Sequence, residues 1–304
     1  MNGKSKMKRA LVTGCNGLLG QKLIQYSPDG WQVFGLDLND SGYSAAKDFY
    51  RKCDMQNKKE LLGYIREVNP DWILNAAAFT NVDGAESQRD LCWKINVEAV
   101  ENLVHAARKV KAKILHVSTD YIFAGNDGPY REDAIPDPTG FYGRSKLAGE
   151  NVLKGSGTHF AIVRSMVLYG KAINIRPNFV TWLIDKLSKK EPVRIVTDQF
   201  GNVTLADELA VGIWRVVLKN LSGIFHIAGN EIVDRYTFAV KIAHIFNLDK
   251  RLIQPIKTSE LSQAAPRPMR SGLVVDKAIK ELGIKLSNVE EGLFKFKAQE
   301  AGRN

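Results

Sequence analysis

Three glycines near the start of the chain, Gly14, Gly17 and Gly20, constrain the fold more than any other feature of the sequence. They follow an apolar, β-branched run and precede an amphipathic stretch, which predicts a strand, a tight turn and a helix. In such a unit the first glycine allows the turn, the second lets the backbone approach a pyrophosphate, and the third lets the helix pack on the sheet. Because glycines also gather in turns that bind nothing, the motif alone does not establish a dinucleotide pocket.

An acidic residue, Asp37, ends the next apolar run at 31–36, seventeen residues after Gly20. Dinucleotide folds of this kind place an acid about 20 residues after the glycines, where it bonds the adenosine ribose. The strand, glycines, helix, second strand and acid together favour a cofactor site. A carboxylate bonds a 2′-hydroxyl and repels a 2′-phosphate, which slightly favours NADH over NADPH. Lys47 and Arg51 are close enough to Asp37 in sequence that NADPH stays an alternative cofactor.

Apolar runs alternate with amphipathic stretches and predict an α/β fold, a Rossmann-type doubly wound parallel sheet. Predicted strands lie at 31–36, 71–75, 112–117, 158–164 and 223–228, predicted helices at 57–68, within 80–110, at 141–154 and at 205–218, and a loop around the adenosine at 39–47. In the helix within 80–110 the apolar positions from Leu91 to Ala107 are spaced as one buried face. We assign 1–170, with 203–229 returning to it, to a dinucleotide-binding domain, and 171–202 and 230–304 to a smaller C-terminal substrate-binding lobe.

Composition narrows the class of protein. The 304 residues are 44% hydrophobic and 25% charged, as in ordinary globular proteins, and we expect neither a transmembrane helix nor a signal peptide. Three widely spaced cysteines predict a reduced, cytoplasmic protein without a metal site. The net charge of +10 is spread along the chain, which favours a surface that collects phosphorylated ligands and argues against nucleic acid or a membrane as partner.

A tyrosine and a lysine, Tyr142 and Lys146, are four residues apart on a predicted helix and therefore share one face. A nearby ammonium favours the ionised form of a phenol, and a tyrosine beside a nicotinamide can give its proton to a carbonyl oxygen. Thr119, at the end of the strand before this helix, can hydrogen-bond the same oxygen. Such a pair also occurs by chance in many helices, so its position after the glycine motif carries the interpretation.

Several segments resemble the extended short-chain dehydrogenase/reductase superfamily: the glycines at 14–20, NAAA at 75–78, STDYIF at 118–123 and YGRSK at 142–146. More selective segments resemble the dTDP-4-dehydrorhamnose reductase family: NAAAFTNVDGAE at 75–86, YGRSKLAGE at 142–150 and DQFG at 198–201. The matches run from residue 8 to about residue 283. The resemblance implies reduction of a dTDP-4-keto-6-deoxyhexose at C4 with NADH or NADPH, which yields dTDP-L-rhamnose for polysaccharide.

The resemblance also implies roles for individual residues. Tyr142 would be the proton donor, Lys146 would tune it and hold the nicotinamide ribose, and Thr119 would orient the keto group. The cofactor would be lined by Gly14, Asn16, Gly17, Leu18, Leu19, Gly20, Asp37, Asp54, Met55, Ala76, Ala77, Ala78, Tyr142 and Lys146. The substrate side would include Thr80, Thr119, Asp120, Val167, Asn178, Phe179, Asp198, Gln199, Arg267 and Ser271.

One position departs from the family pattern. Where the family commonly has RTSWVYG, this chain has RSMVLYG at 164–170, so Val167 replaces a tryptophan that packs on the sugar. The loss of that aromatic face leaves open a reductase or epimerase of another nucleotide sugar. A non-catalytic dinucleotide-binding subunit, like the regulatory subunit of methionine adenosyltransferase, is a second alternative. We expect a monomer or a homodimer.

Overall fold

The computed structural model describes residues 7–39 and 49–302 and contains a seven-stranded parallel sheet. The strands are β1 (Lys8–Thr13), β2 (Trp31–Asp37), β3 (Tyr50–Lys52), β4 (Trp72–Asn75), β5 (Lys113–Thr119), β6 (Phe160–Ser165), β7 (Leu168–Tyr169), β8 (Val193–Val196), β9 (Phe200–Asn202), β10 (Thr204–Leu205), β11 (Gly223–His226), β12 (Ile232–Asp234) and β13 (Ile253–Ile256). The large sheet has the order β11-β6-β5-β4-β1-β2-β3. Because the chain winds outward from β1 in both directions, the predicted doubly wound α/β fold is confirmed.

Helices cover the sheet and form much of the smaller lobe. They are α1 (Leu18–Gln25), α2 (Lys58–Val68), α3 (Gly84–Ser87), α4 (Arg89–Trp93), α5 (Ala99–Val110), α6 (Phe141–Lys154), α7 (Phe179–Ser188), α8 (Ala206–Leu218), α9 (Arg235–Ile245), α10 (Asp276–Ala278) and α11 (Val289–Glu300). Short 3₁₀ segments lie at Asp120–Ile122, Lys250–Leu252 and Thr258–Glu260, and π-helical segments at Lys94–Glu98 and Ile279–Gly283.

Strand β1 shows how the sequence builds a sheet that is covered on both faces. Ala10 and Val12 belong to one buried cluster with residues of α1 and α8, whereas Leu11 belongs to a second cluster with residues of α2 and α5. Successive side chains of a strand point to opposite faces, so an uninterrupted apolar run requires a core on each side. The carboxyl ends of the neighbouring strands β1 and β4 lie together at the point where the strand order reverses. A reversal of this kind opens a crevice that can hold a ligand.

The helix predicted within 80–110 is interrupted. It breaks at Gln88, whose φ and ψ of −114° and 47° end α3, and it then passes through the π-helical segment Lys94–Glu98 before α5. A π turn shifts the phase of the helical pattern. The prediction that Leu91 lies on one buried face with Ala107 is therefore wrong: Leu91 is 42% exposed and Ala107 is fully buried.

A third buried cluster forms the smaller lobe from α7, α9 and α11, together with the parallel pair β8 and β13. Its centre includes Val180, Leu183, Phe238 and Phe296, all fully buried. The domain boundaries predicted from the sequence stay a prediction. The loop predicted around the adenosine lies mostly outside the described residues, as does Lys47.

Within residues 7–39 and 49–302, no helix is long and apolar enough to span a bilayer. The same residues contain no group of three or more His, Cys, Asp or Glu side chains arranged to hold a metal ion.

Candidate active site

The glycine turn between β1 and α1 depends on close backbone contacts. Gly14 has a φ of +66°, and a Cβ there would lie 2.8 Å from the backbone nitrogen of Ala77. A Cβ on Gly20 would lie 2.2 Å from the carbonyl oxygen of Gly14, so a side chain would push α1 away from the turn. Gly17 is the N-cap of α1 and offers no capping side chain. The first N–H groups of α1 are therefore free to bind an anion such as a pyrophosphate.

The acid at the end of β2 is held beside this turn. One oxygen of Asp37 accepts a hydrogen bond from the backbone N–H of Asn16 at 3.0 Å, and the other accepts one from Leu38 at 2.8 Å. The segment after β3 lies alongside, because the N–H of Cys53 donates to the carbonyl of Asp37 at 2.9 Å. This contact brings the predicted cofactor residues Asp54 and Met55 towards Asp37.

The small residues after β4 complete this part of the crevice. The N–H of Ala76 donates to the carbonyl of Thr13 at 3.2 Å, and Ala77 forms the wall against which Gly14 packs. Ala78 follows them in the chain. Arg51 is the described residue that left NADPH as an alternative cofactor, and it points towards α2. Its guanidinium lies 3.0 Å from the carboxylate of Glu67 and 4.6 Å from the centre of the Tyr64 ring.

Two glycines in α6 bring Tyr142 and Lys146 close to the end of β5. A Cβ on Gly143 would lie 2.1 Å from the carbonyl oxygen of Tyr121, and one on Gly149 would lie 2.6 Å from that of Asn96. Only a helix without side chains at these positions can pack this closely. Asn96, in the π-helical segment, donates to Ser145 Oγ at 2.9 Å and accepts from the N–H of Phe79 at 2.8 Å.

Tyr142 is buried, and burial raises the pKa of its phenol, with the Asp120 carboxylate adding to the shift. The sequence interpretation expected a neighbouring ammonium to lower this pKa, and that expectation is wrong for this structure. The Nζ of Lys146 instead donates to the carbonyl of Val117 at 2.8 Å. Burial also lowers the pKa of Lys146, to about 8. At neutral pH the tyrosine therefore carries its proton and the lysine is mostly an ammonium.

A buried carboxylate, that of Asp120, lies beside Tyr142. Thr119 Oγ1 donates to one oxygen of Asp120 at 3.1 Å, and Ser271 Oγ donates to the other at 2.7 Å. Burial raises the pKa of Asp120, while the two hydroxyls and the Arg235 guanidinium oppose the shift. The structure thus brings Thr119, Asp120 and Ser271 into one cluster, although Ser271 is distant in sequence.

Val167 lies where two cores meet, against the sheet cluster and the cluster of the smaller lobe. Its φ is +44°, a left-handed conformation that is rare for a β-branched residue. Its carbonyl accepts a hydrogen bond from the N–H of Thr204 at 3.0 Å. Strained backbone of this kind concentrates at functional sites. Here it occurs at the position where this chain differs from the family pattern.

Two further predicted substrate residues, Asn178 and Phe179, lie at the start of α7 in the smaller lobe. Asn178 caps α7 by accepting from the N–H groups of Val180 and Thr181, both at 3.2 Å. Phe179 stacks on Phe238 with ring centres 5.6 Å apart. Thr80 is exposed after β4.

Asp198 and Gln199 converge on a single residue. Asp198 accepts hydrogen bonds from the N–H of Thr258 at 3.0 Å and from its hydroxyl at 2.7 Å, and the Gln199 amide donates to the same hydroxyl at 3.1 Å. Arg267 forms an ion pair of 2.7 Å with Asp83. The bonds to Thr258 organise loops of the smaller lobe, and the pair with Asp83 ties Arg267 to the start of α3. The predicted contacts of these residues with substrate stay predictions.

Arg235, the first residue of α9, was missed by the sequence analysis. Its guanidinium lies 6.0 Å from the centre of the Phe179 ring and close enough to Asp120 and Tyr121 for their charges to affect its pKa, which burial lowers. Among the described residues, no carboxylate lies within 4.0 Å of it. A cation beside a ring and without a close carboxylate favours an anionic or strongly polar ligand. The only sequence signal is an arginine directly after the capping Asp234.

Comparison with known proteins finds relatives that match most of this chain. The family profile described as RmlD substrate binding domain matches residues 7–301. A dTDP-4-dehydrorhamnose reductase of Aggregatibacter actinomycetemcomitans is 31% identical over 306 residues, covering 96% of this chain and 99% of that protein. Methionine adenosyltransferase 2 subunit beta of Xenopus laevis is 34% identical over 284 residues, covering 91% and 83% respectively. The crystal structure of dTDP-4-dehydrorhamnose reductase from Bacillus anthracis in complex with NADP superposes with a TM-score of 0.86, at 31% identity and with 96% and 99% of the two chains covered.

Proposed function

This chain belongs to the RmlD substrate binding domain family, and on that premise we propose that it uses NADH or NADPH to reduce the C4 keto group of dTDP-4-dehydrorhamnose to dTDP-L-rhamnose. The observation that carries the proposal is that Tyr142 and Lys146, one turn apart on α6, both reach the end of β5, where Tyr142 hydrogen-bonds Thr119 and Lys146 donates to the Val117 carbonyl. A hydroxyl, a phenol and an ammonium placed together suit the protonation of a carbonyl oxygen. The reductase of Aggregatibacter actinomycetemcomitans supports the same reaction class.

The crevice fits a nicotinamide dinucleotide. The turn at Gly14 leaves no room for a Cβ, the start of α1 presents free N–H groups, and Asp37 stands at the end of β2. When bound, the cofactor would supply hydride. We propose NADH as the preferred form, because Asp37 repels a 2′-phosphate and Arg51 is engaged with Glu67.

The raised pKa of Tyr142 suits a reductase. A phenol that keeps its proton at neutral pH is ready to give it to the keto oxygen as negative charge develops there. Thr119, whose hydroxyl donates to Asp120 in this structure, would turn that proton to the keto oxygen, and Lys146 would stabilise the tyrosinate left behind. Since Thr119, Tyr142 and Lys146 are buried, each of these interactions is stronger than it would be in water.

Two arginines support a phosphate-linked substrate. The charges of Arg235 and Arg267 oppose the raised pKa of Tyr121, and that of Arg267 also lowers the pKa of Arg235, so the two guanidiniums lie near each other. A guanidinium binds phosphate oxygens in a bidentate manner, and a sugar nucleotide carries two negative phosphates. Arg267 is already paired with Asp83, which leaves Arg235 as the stronger candidate for the diphosphate.

Val167 is the reason to test more than one sugar. A branched aliphatic side chain at this position removes a flat surface on which a pyranose could stack. We propose that the enzyme accepts a broader or different set of 4-keto sugars than relatives with tryptophan. Substitution of Val167 by Trp should then narrow the set, seen as a changed ratio of kcat/KM between sugars.

Oxidation of NADH, and separately of NADPH, followed at 340 nm with dTDP-4-dehydrorhamnose tests the proposal. We expect turnover that falls by at least about 100-fold in Tyr142→Phe, since general acid catalysis contributes about 10² to 10⁴. Tyr26→Phe, at the far end of α1, is the matched control and should keep full activity. Full turnover in Tyr142→Phe would contradict the assigned role, and turnover only with another sugar would identify a different reductase.

A second candidate is a non-catalytic dinucleotide-binding subunit. The observation favouring it is the 34% identity to methionine adenosyltransferase 2 subunit beta over 91% of this chain. Tight NADH binding with no oxidation by any of a panel of nucleotide sugars would favour this function, above all if an enzyme co-purified. A monomer or homodimer and a cytoplasmic location stay predictions, which sedimentation and cell fractionation would test.

A further inference from the structure

A chain of four buried polar side chains links the glycine turn to the lysine of α6. Thr13 Oγ1 lies 2.6 Å from Asn75 Oδ1, Asn75 Nδ2 lies 2.9 Å from His116 Nδ1, and His116 Nε2 lies 3.4 Å from Lys146 Nζ. The residues come from β1, β4, β5 and α6. All four are at most 2% exposed, so their hydrogen bonds must be satisfied by one another or by the surrounding backbone.

The donors and acceptors of this chain allow two consistent arrangements. In the first, the Asn75 amide NH₂ donates to His116 Nδ1, so the ring proton is on Nε2 and faces Lys146. The Nε2–H of His116 and an ammonium at Lys146 would then be two donors facing each other, so Lys146 must be a neutral amine that accepts. In the second, an ammonium at Lys146 donates to His116 Nε2 and the ring proton is on Nδ1. The Asn75 amide is then rotated, so that its oxygen accepts from Nδ1 and its NH₂ donates to Thr13 Oγ1.

We propose that His116 is a positioning residue for Lys146, and that its ring tautomer and the orientation of the Asn75 amide switch together with the protonation state of Lys146. His116 suits this part because burial, and then the charge of Lys146, hold its pKa well below the ordinary value, so the ring stays neutral. A neutral imidazole has one donor and one acceptor, and can exchange them without carrying charge. The Val117 carbonyl holds Lys146 in both arrangements.

The switch falls in an accessible pH range, because the pKa of Lys146 is lowered by burial to about 8. In the described part of the chain, the titratable groups that act on Lys146 come from its own helix, from α4 and from β5: Glu150, Cys92 and His116. Glu150 is tied to Arg164 at 2.8 Å, and Asp120 and Tyr121 act on Tyr142 instead. None of these partners can replace the acceptor that His116 offers to the ammonium.

Nitrogen NMR of the protein labelled with ¹⁵N-histidine tests the switch without any substrate. We expect the proton of His116 to move from Nδ1 to Nε2 with a midpoint near pH 8, where Lys146 deprotonates. In Lys146→Arg, which stays charged, it should remain on Nδ1, and in Lys146→Met the transition should disappear. His226 is an internal control, because its Nε2 lies 3.3 Å from a guanidinium nitrogen of Arg164, a group that has only donors.

A single His116 tautomer from pH 6.5 to 9.5 in the wild type, while ¹⁵N-lysine signals show Lys146 titrating, would overturn the proposal. So would an unchanged transition in Lys146→Met. These outcomes are independent of the reaction, so they separate failure of this inference from failure of the proposed function.

The catalytic consequence rests on the proposed function and is tested by the pH profile of kcat/KM. His116→Leu removes the acceptor, and we expect the upper limb of the profile to move to lower pH by about one unit, a tenfold change in the lysine equilibrium. His116→Gln, whose amide can either accept or donate, should restore the profile, and His159→Gln should leave it unchanged. A profile in His116→Leu identical to that of the wild type would overturn the positioning role.

Discussion

Replacement of Gly20 by alanine sets two physical effects against each other. Alanine is favoured over glycine inside a helix by about 0.5–1 kcal/mol. In α1, however, the new Cβ would lie 2.2 Å from the carbonyl oxygen of Gly14 and 2.6 Å from the Cα of Cys15. Both are backbone atoms that cannot rotate away, so α1 must move, at a cost of about 1–3 kcal/mol or more. We expect the clash to win, with a net destabilisation of about 1–2 kcal/mol.

A matched control lies in α2. Gly63 is also a helical glycine, but a Cβ there would meet nothing within 4 Å, so Gly63→Ala should stabilise the protein by about 0.5–1 kcal/mol. Urea unfolding gives both values. Because displacement of α1 moves its N–H groups away from the pyrophosphate, calorimetric titration should show at least about tenfold weaker NADH binding in Gly20→Ala only. Equal stability and equal NADH affinity in the two variants would refute the reasoning.

Three further predictions concern charge. Arg235→Met should raise KM for the sugar nucleotide by at least about tenfold while KM for NADH is unchanged, because a charge-assisted bond to phosphate is lost; an unchanged substrate KM would remove Arg235 from the site. Asp37→Ser should lower the KM of NADPH relative to NADH by about tenfold or more, and an unaltered ratio in initial-rate kinetics would contradict the NADH preference. His226 has its pKa lowered from 6.5 to about 3 by burial and by Arg164. Between these values the unfolded state binds more protons than the folded state, so stability falls as the pH falls. His226→Gln should reduce this loss by about 3 kcal/mol between pH 7 and pH 4 in urea unfolding, and exposed His244→Gln should not.

Much of the candidate site follows from local patterns. Gly14 and Gly20 could be assigned because a turn that excludes a Cβ leaves a glycine in the sequence wherever it occurs. Asp37 could be placed because a strand that ends on an acid carries that acid to the edge of the sheet. The shared face of Tyr142 and Lys146 follows from the period of a helix.

Other features could not be read in this way. Leu91 has the spacing of a buried residue, yet a break at Gln88 and a π turn expose it. The pKa of Tyr142 was expected to fall beside Lys146, whereas burial raises it. Both differences arise from how the helices pack in the tertiary structure. The spacing of residues along the chain does not reveal this packing.

The sequence by itself therefore determined the alternation of strands and helices, the glycine turn and the tyrosine-lysine pair, because these depend on backbone sterics and on periods of two and 3.6 residues. Only the tertiary structure decided that Arg235 lies beside Phe179, that Ser271 bonds Asp120, and that His116 separates Asn75 from Lys146. These contacts join residues between 30 and 151 positions apart in the chain. No local pattern encodes such pairs, because they exist only once the strands and helices that carry them have packed together.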